Sequence, residues 1–231
     1  MMLCHRLAPV ALLMALACQN VVEHSNPART PLIEAMLIAG TASTDVRIRW
    51  LEPDRSDPTD APDNDVSLIL VEDAGGKVAL EPVPDSTGHF AARLPIRAGH
   101  RYSLAGTVGG RPVGASTTVP VGFTILAPAG DSIRLRASGA SADGPYGIVP
   151  FRWSSEGGSL YAIESGYVVP AASHTTALSG ELLLFGRRLR LLAMNRELAG
   201  YLYASPAETN LAGAFGVLGA AIEVRKAIVW Q

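Results

Sequence analysis

The sequence predicts an all-β protein: an N-terminal antiparallel β-sandwich, then a second β-rich domain with one short helix. Three observations predict it. From residue 31 onward apolar residues alternate with polar ones at period two. Paired glycines punctuate these runs, and one stretch, after Asn195, has helical spacing instead.

The strands follow in order. Val46, Ile48 and Trp50 alternate with Arg47 and Arg49, which places apolar side chains on one face and charges on the other. VSLILV, from Val66 to Val71, is a short apolar run bounded by turn residues and reads as a buried strand. Alternation returns at Phe90, Ala92 and Leu94, at Tyr102, Leu104 and Val108, and at Val113, Ala115, Thr117 and Val119. Gly75-Gly76 and Gly109-Gly110 supply the positive φ that tight hairpins require. The sandwich is expected to span residues 31–128. A second domain, 129–231, follows. Its strand candidates are Ile133 to Ala137, Phe151 to Trp153, Leu160 to Ile163, Tyr167 to Val169, Leu182 to Phe185, Leu189 to Met194, Phe215 to Val217 and Ile222 to Trp230, with a hairpin turn at Gly157-Gly158. Asn195 is the expected N-cap of the helix, Glu197 favours its first turn, and Leu198, Tyr201 and Leu202 share a face; Pro206 stops it.

Residues 1–17 read as a signal peptide. Arg6 gives the positive start, and Leu7 to Leu16 is an apolar core about half the roughly 20 residues a membrane span needs. Small Ala17 precedes Cys18. Ala15-Leu16-Ala17-Cys18 resembles a lipobox with its Leu and small residue exchanged, which implies cleavage before Cys18 and lipidation of its thiol. Gln19 follows, not Asp, which by the same analogy points to the outer membrane. Residues 18–30 are then a lipidated tether, polar and without periodicity.

Composition excludes more than it proposes. With 19 Lys+Arg against 21 Asp+Glu, net −2, the chain carries no electrostatic footprint for nucleic acid. Its two cysteines, Cys4 and Cys18, leave the mature body no internal disulfide. His24, His89, His100 and His174 have no metal-ligand spacing, and no Gly-x-Ser-x-Gly elbow occurs. Asp54, Asp57, Asp60 and Asp63 recur every third residue before Asp65. They lack the Asp-x-Asp-x-Asp-Gly order of a calcium loop, and Pro53, Pro58 and Pro62 predict an extended, solvated connection. Arg187, Arg188 and Arg190 form a local basic cluster, expected on the exposed face and turn of a hairpin. No catalytic, cofactor or metal residue is assigned.

TNLAGAFGVLGA, from Thr209 to Ala220, carries Gly213, Gly216 and Gly219 every third residue. This spacing suits close backbone approach and lacks the strand-turn-helix setting of a phosphate loop. With Tyr201-Leu202-Tyr203 and Pro206 before it, and the Asp65 to Pro120 pattern of VSLILV, an acidic-Gly turn, AGHRYSL, GGR and TVP, it resembles the domain-of-unknown-function 4249 family of bacterial lipoproteins. The resemblance covers most of residues 31–225. Leu211, Ala214 and Leu218 depart from the family's usual residues, and the stretch before Asn210 is short. It implies a transthyretin- or immunoglobulin-like first domain, a second β-rich domain, and a place beside outer-membrane receptors. The expected function is a non-enzymatic binding or accessory module, with the membrane as partner through its anchor and an outer-membrane protein as a candidate second partner. The alternatives are a carbohydrate-binding or adhesive domain and an extracytoplasmic hydrolase using a Ser or Asp with His100 or His174.

Overall fold

The period-two pattern from residue 31 onward becomes a sandwich whose inner face takes one parity of each strand. The computed structural model describes residues 29–135, 148–154, 159–162, 167–169, 175–179, 188–204 and 206–230. The strands are β1 (Thr30–Ile38), β2 (Thr44–Leu51), β3 (Thr59–Asp60), β4 (Val66–Glu72), β5 (Lys77–Ala79), β6 (Glu81–Pro82), β7 (His89–Ala92), β8 (Arg101–Val108) and β9 (Arg111–Thr118). They continue as β10 (Thr124–Ala127), β11 (Ser132–Leu135), β12 (Ile148–Ser154), β13 (Ser159–Ala162), β14 (Tyr167–Val169), β15 (Thr175–Ser179), β16 (Arg188–Met194) and β17 (Phe215–Trp230). Among the described residues the one α-helix is α1 (Arg196–Tyr203). The protein is all-β with one short helix.

A large mixed sheet runs β14-β13-β16-β17-β1-β2-β7-β6, with β11 added to β17 and β3 to β2. An antiparallel sheet, β5-β4-β8-β9, faces it. The core between them holds Ile33, Ala35 and Leu37 of β1, Val46, Ile48 and Trp50 of β2, Phe90, Leu68, Leu70, Tyr102, Leu104, Leu218 and Ala220. The apolar sets read from Val46 to Val119 therefore face inward as expected. The hairpin at Gly109-Gly110 has φ of 57° and 73°, the geometry of a two-residue turn with both central residues left-handed.

Three expectations are corrected. First, the sandwich is not purely antiparallel: β1 pairs β17 in parallel, Leu32 opposite Phe215 through Ile38 opposite Ala221. A long excursion separates the two strands, so no hairpin dictates their direction. Second, Phe215 to Val217 and Ile222 to Trp230 are one strand of 16 residues. Its first part pairs β1, and its later part pairs β16 on one side and β11 on the other. β1 and β2, from the expected first domain, and β16 and β17, from the expected second, are strands of one sheet. Third, the acidic connection is built. Thr59 and Asp60 pair with Trp50 and Arg49, Ala61 is fully buried and donates its N–H to Ile48 O, and Asp63–Asp65 form a 3₁₀ turn. The Asp65 carbonyl accepts Gly109 N–H at 2.7 Å, which ties this connection to the β8–β9 hairpin. The turn at Gly157-Gly158 and the Leu182 to Phe185 strand lie outside the described residues.

Candidate functional site

Cys18, with Cys4, His24, His174 and Arg187, also lies outside the described residues. The remaining candidates are distributed over three polar clusters at the rim and outer face of the sandwich.

The first cluster centres on Glu72. The residue continues the inward parity of Leu68 and Leu70, so β4 carries a carboxylate into the edge of the core, where it is only 4% exposed. A carboxylate this buried needs partners, and it has three. His100 Nδ1 lies 3.0 Å from Oε1, Arg97 Nη1 lies 3.4 Å from Oε2, and the Tyr102 hydroxyl lies 3.0 Å from Oε1. That hydroxyl also accepts Arg97 N–H at 2.8 Å and sits 3.0 Å from Pro95 O. It has one proton, shared between Glu72 and Pro95 as alternative acceptors. Burial pushes the Tyr102 phenol up; the Arg97 amide opposes this and Glu72 adds to it. An imidazole held through Nδ1 by a carboxylate is half of a nucleophile-activating arrangement. The same bonds also fasten the end of β4 to the chain between β7 and β8.

The second cluster ties α1 to the sheet. Glu34 points away from the core, out of phase with Ile33 and Ala35. It accepts from Tyr201 Oη at 2.8 Å and from Arg49 Nη2 at 2.5 Å. Burial first, then the bond to Glu34, pushes the Tyr201 phenol up to about 12. Its ring lies 6.2 Å from that of Phe215, tilted by 60°. Leu198 is buried in the cluster of Leu192, Met194, Val217 and Ala221. Leu202 is not on that face: it is 46% exposed, because the eight-residue helix ends on one packed turn.

The third cluster is on the outer face of β16 and β17. Arg190 reaches Glu223 at 2.5 Å, and Arg225 pairs with the same carboxylate. Burial works against the charge on Glu223. The two arginines outweigh it and hold the carboxyl below its ordinary range. Behind them Lys226 is 4% exposed on the inner parity. Its Nζ donates to the carbonyls of Pro128 and Gly130, and burial lowers its pKa against the nearby Asp131.

The glycine-rich segment packs as close backbone. A Cβ on Gly216 (φ 110°) would collide with the Ile33 carbonyl of β1. A Cβ on Gly219 would lie 2.6 Å from Leu198 Cβ, so α1 rests on this bare position. Asn210 bonds Leu218 as a strand neighbour would, its Oδ1 accepting and its Nδ2 donating, and Ala212 bridges Gly114 on the outer edge of β9. The segment therefore covers that edge, which would otherwise present unpaired backbone groups.

His89, in β7, stands opposite Arg47. Asp60 is 3.5 Å from Arg47, and Glu52 pairs with Arg29 and Arg55, so the acidic stretch is partly neutralised by arginines. Among the described residues no group of three His, Cys, Asp or Glu is placed to hold a metal ion. Sequence reasoning missed Glu72 and Glu34. The signal for Glu72 was present: an acid in phase with Leu68 and Leu70. Nothing in the sequence marked Glu34 as a partner of Tyr201.

No protein-family model matches the chain, and no curated protein matches it.

Proposed function

We propose that this protein is a lipid-anchored, non-enzymatic binding or accessory module of the cell envelope, held at the outer membrane through Cys18. The observation that carries the reading is the order of the first 30 residues: an apolar leader, Ala17-Cys18, a polar stretch, then the first strand. The placement of that strand supports it. β1 is hydrogen-bonded on both sides, to β2 and to β17, so load on the tether falls along two ladders in shear. Residues 19–29 reach at most about 40 Å when fully extended, which keeps the body near the membrane. The resemblance noted above supports a partner among outer-membrane receptor proteins. The Glu72–His100 pair favours hydrolysis as a second reading; turnover of a generic ester, lost in His100→Gln with the fold intact, would establish it.

Replacing Cys18 by Ser tests the anchor. Incorporation of labelled fatty acid should disappear and the protein should leave the membrane fraction. Unchanged labelling and retention would overturn the reading.

A further inference from the structure

Acids on the strands of the large sheet are closely matched by arginines except in one row. Among the described residues these strands carry five acids: Glu34, Asp45, Asp60, Glu81 and Glu223. Glu34, Asp60 and Glu223 each have an arginine within 3.5 Å. No ion pair reaches Asp45 among the described residues. Glu81 is met by Arg93 at 3.9 Å, with both side chains mostly in solvent. These two acids stand in line. β2 sets Asp45 opposite Ala91 of β7, and β6 sets Glu81 opposite the same Ala91. Val46, Phe90 and Ala92 point into the core, so Asp45, Ala91 and Glu81 point out. The Cα atoms of Asp45 and Glu81 are then about 10 Å apart, two strand spacings, with one methyl group between them. That short side chain floors a groove of about 580 Å³, walled by Ser43 of the β1–β2 turn on one side and by Pro82 and Pro84 on the other. Two acids and one arginine line it, so it is net negative.

We propose that this groove takes a lysine or arginine side chain from an extended segment of a partner protein. Charge complementarity selects the occupant. A basic side chain lays its apolar stem over Ala91 and the proline rings and brings its charge between the two carboxylates. Backbone pairing is closed off at that edge. Val83 donates its N–H to His89 O, so the alternate residues Pro82 and Pro84 face the free edge of β6, and neither has an N–H to offer. Recognition there comes from side chains and not from an added strand. The proposal rests on the binding-module reading and names the chemistry of its partner.

The test uses the full chain carrying Cys18→Ser and, as probe, a blocked Gly-Lys-Gly-Lys-Gly peptide, followed by amide NMR shifts in low salt. The shifts should saturate and concentrate at Ser43, Ala91 and Glu81, and the same peptide with glutamine for lysine should not bind. Asp45→Asn with Glu81→Gln should weaken binding about tenfold, the effect of two exposed ion pairs. Ala91→Leu fills the groove without changing charge and should abolish binding while the amide signals of the other sheet stay in place. Asp54→Asn with Asp57→Asn removes the same charge from the connection before β3 and should leave binding unchanged. Equal losses in the two acid pairs, or an unaffected Ala91→Leu, would overturn the proposal. So would tighter binding of putrescine than of the peptide, which would mark a site for small amines instead. None of these outcomes alters acyl labelling or membrane retention through Cys18, so the two readings fail separately.

Discussion

Asn195 and Thr117 are 78 positions apart and joined by a 2.6 Å hydrogen bond between Asn195 Nδ2 and Thr117 Oγ1. The same Asn195 side chain caps α1, its Oδ1 accepting Leu198 N–H at 3.1 Å, and also accepts Ala220 N–H at 3.1 Å. One buried amide thus ties the helix, β17 and the edge of β9. Asn195→Ala removes the cap and leaves buried groups on Ala220 and Thr117 without partners. A lost cap costs about 1 kcal/mol and each stranded buried group about 1–3. Urea unfolding should show a loss of about 3 kcal/mol or more. A loss no larger than that of a peptide cap would mean that the ties to Thr117 and Ala220 contribute nothing.

Gly216→Ala should be among the most damaging substitutions in the chain. It adds a carbon against the Ile33 carbonyl in the parallel ladder and forces a non-glycine residue to φ 110°. We expect about 3 kcal/mol or more. Gly40→Ala is the control: φ is 85°, but the added carbon meets nothing within 4 Å, so only the backbone strain of about 1–2 kcal/mol applies. Equal melting temperatures for the two variants would refute close packing at Gly216.

Phe215→Ala should cost about 1–3 kcal/mol, less than the roughly 3–5 of a fully buried Phe. The side chain is half-buried against Tyr201. Phe90→Ala, at 1% exposure, should reach the higher range. Thermal melts of the pair decide the order.

Tyr201 makes stability depend on alkaline pH. Its folded pKa is raised to about 12, above the ordinary tyrosine value of 10.0, so folding favours the neutral phenol. That contribution is complete below pH 10 and is lost as pH rises from 10 through about 12. Tyr201→Phe should lower stability at neutral pH by about 1 kcal/mol, through the lost bond to Glu34. The gap between the two proteins should close across that alkaline window. Denaturant titrations at a series of pH values test this, and a gap that stays constant would contradict it.

Much of this protein was determined by its sequence. Val46, Ile48 and Trp50, or Tyr102 and Leu104, alternate because a pleated strand sends successive side chains to opposite faces, so the core could be listed without coordinates. The Gly109-Gly110 turn and the Asn195 cap are equally local: each depends on backbone angles or bonds within a few residues. The tertiary structure alone decided that β17 lies parallel to β1, that Asn195 reaches Thr117, and that Asp45, Ala91 and Glu81 line up across three strands. Those pairings link positions far apart in the chain. Period-two patterning fixes which face a residue takes but says nothing about which strand will be its neighbour.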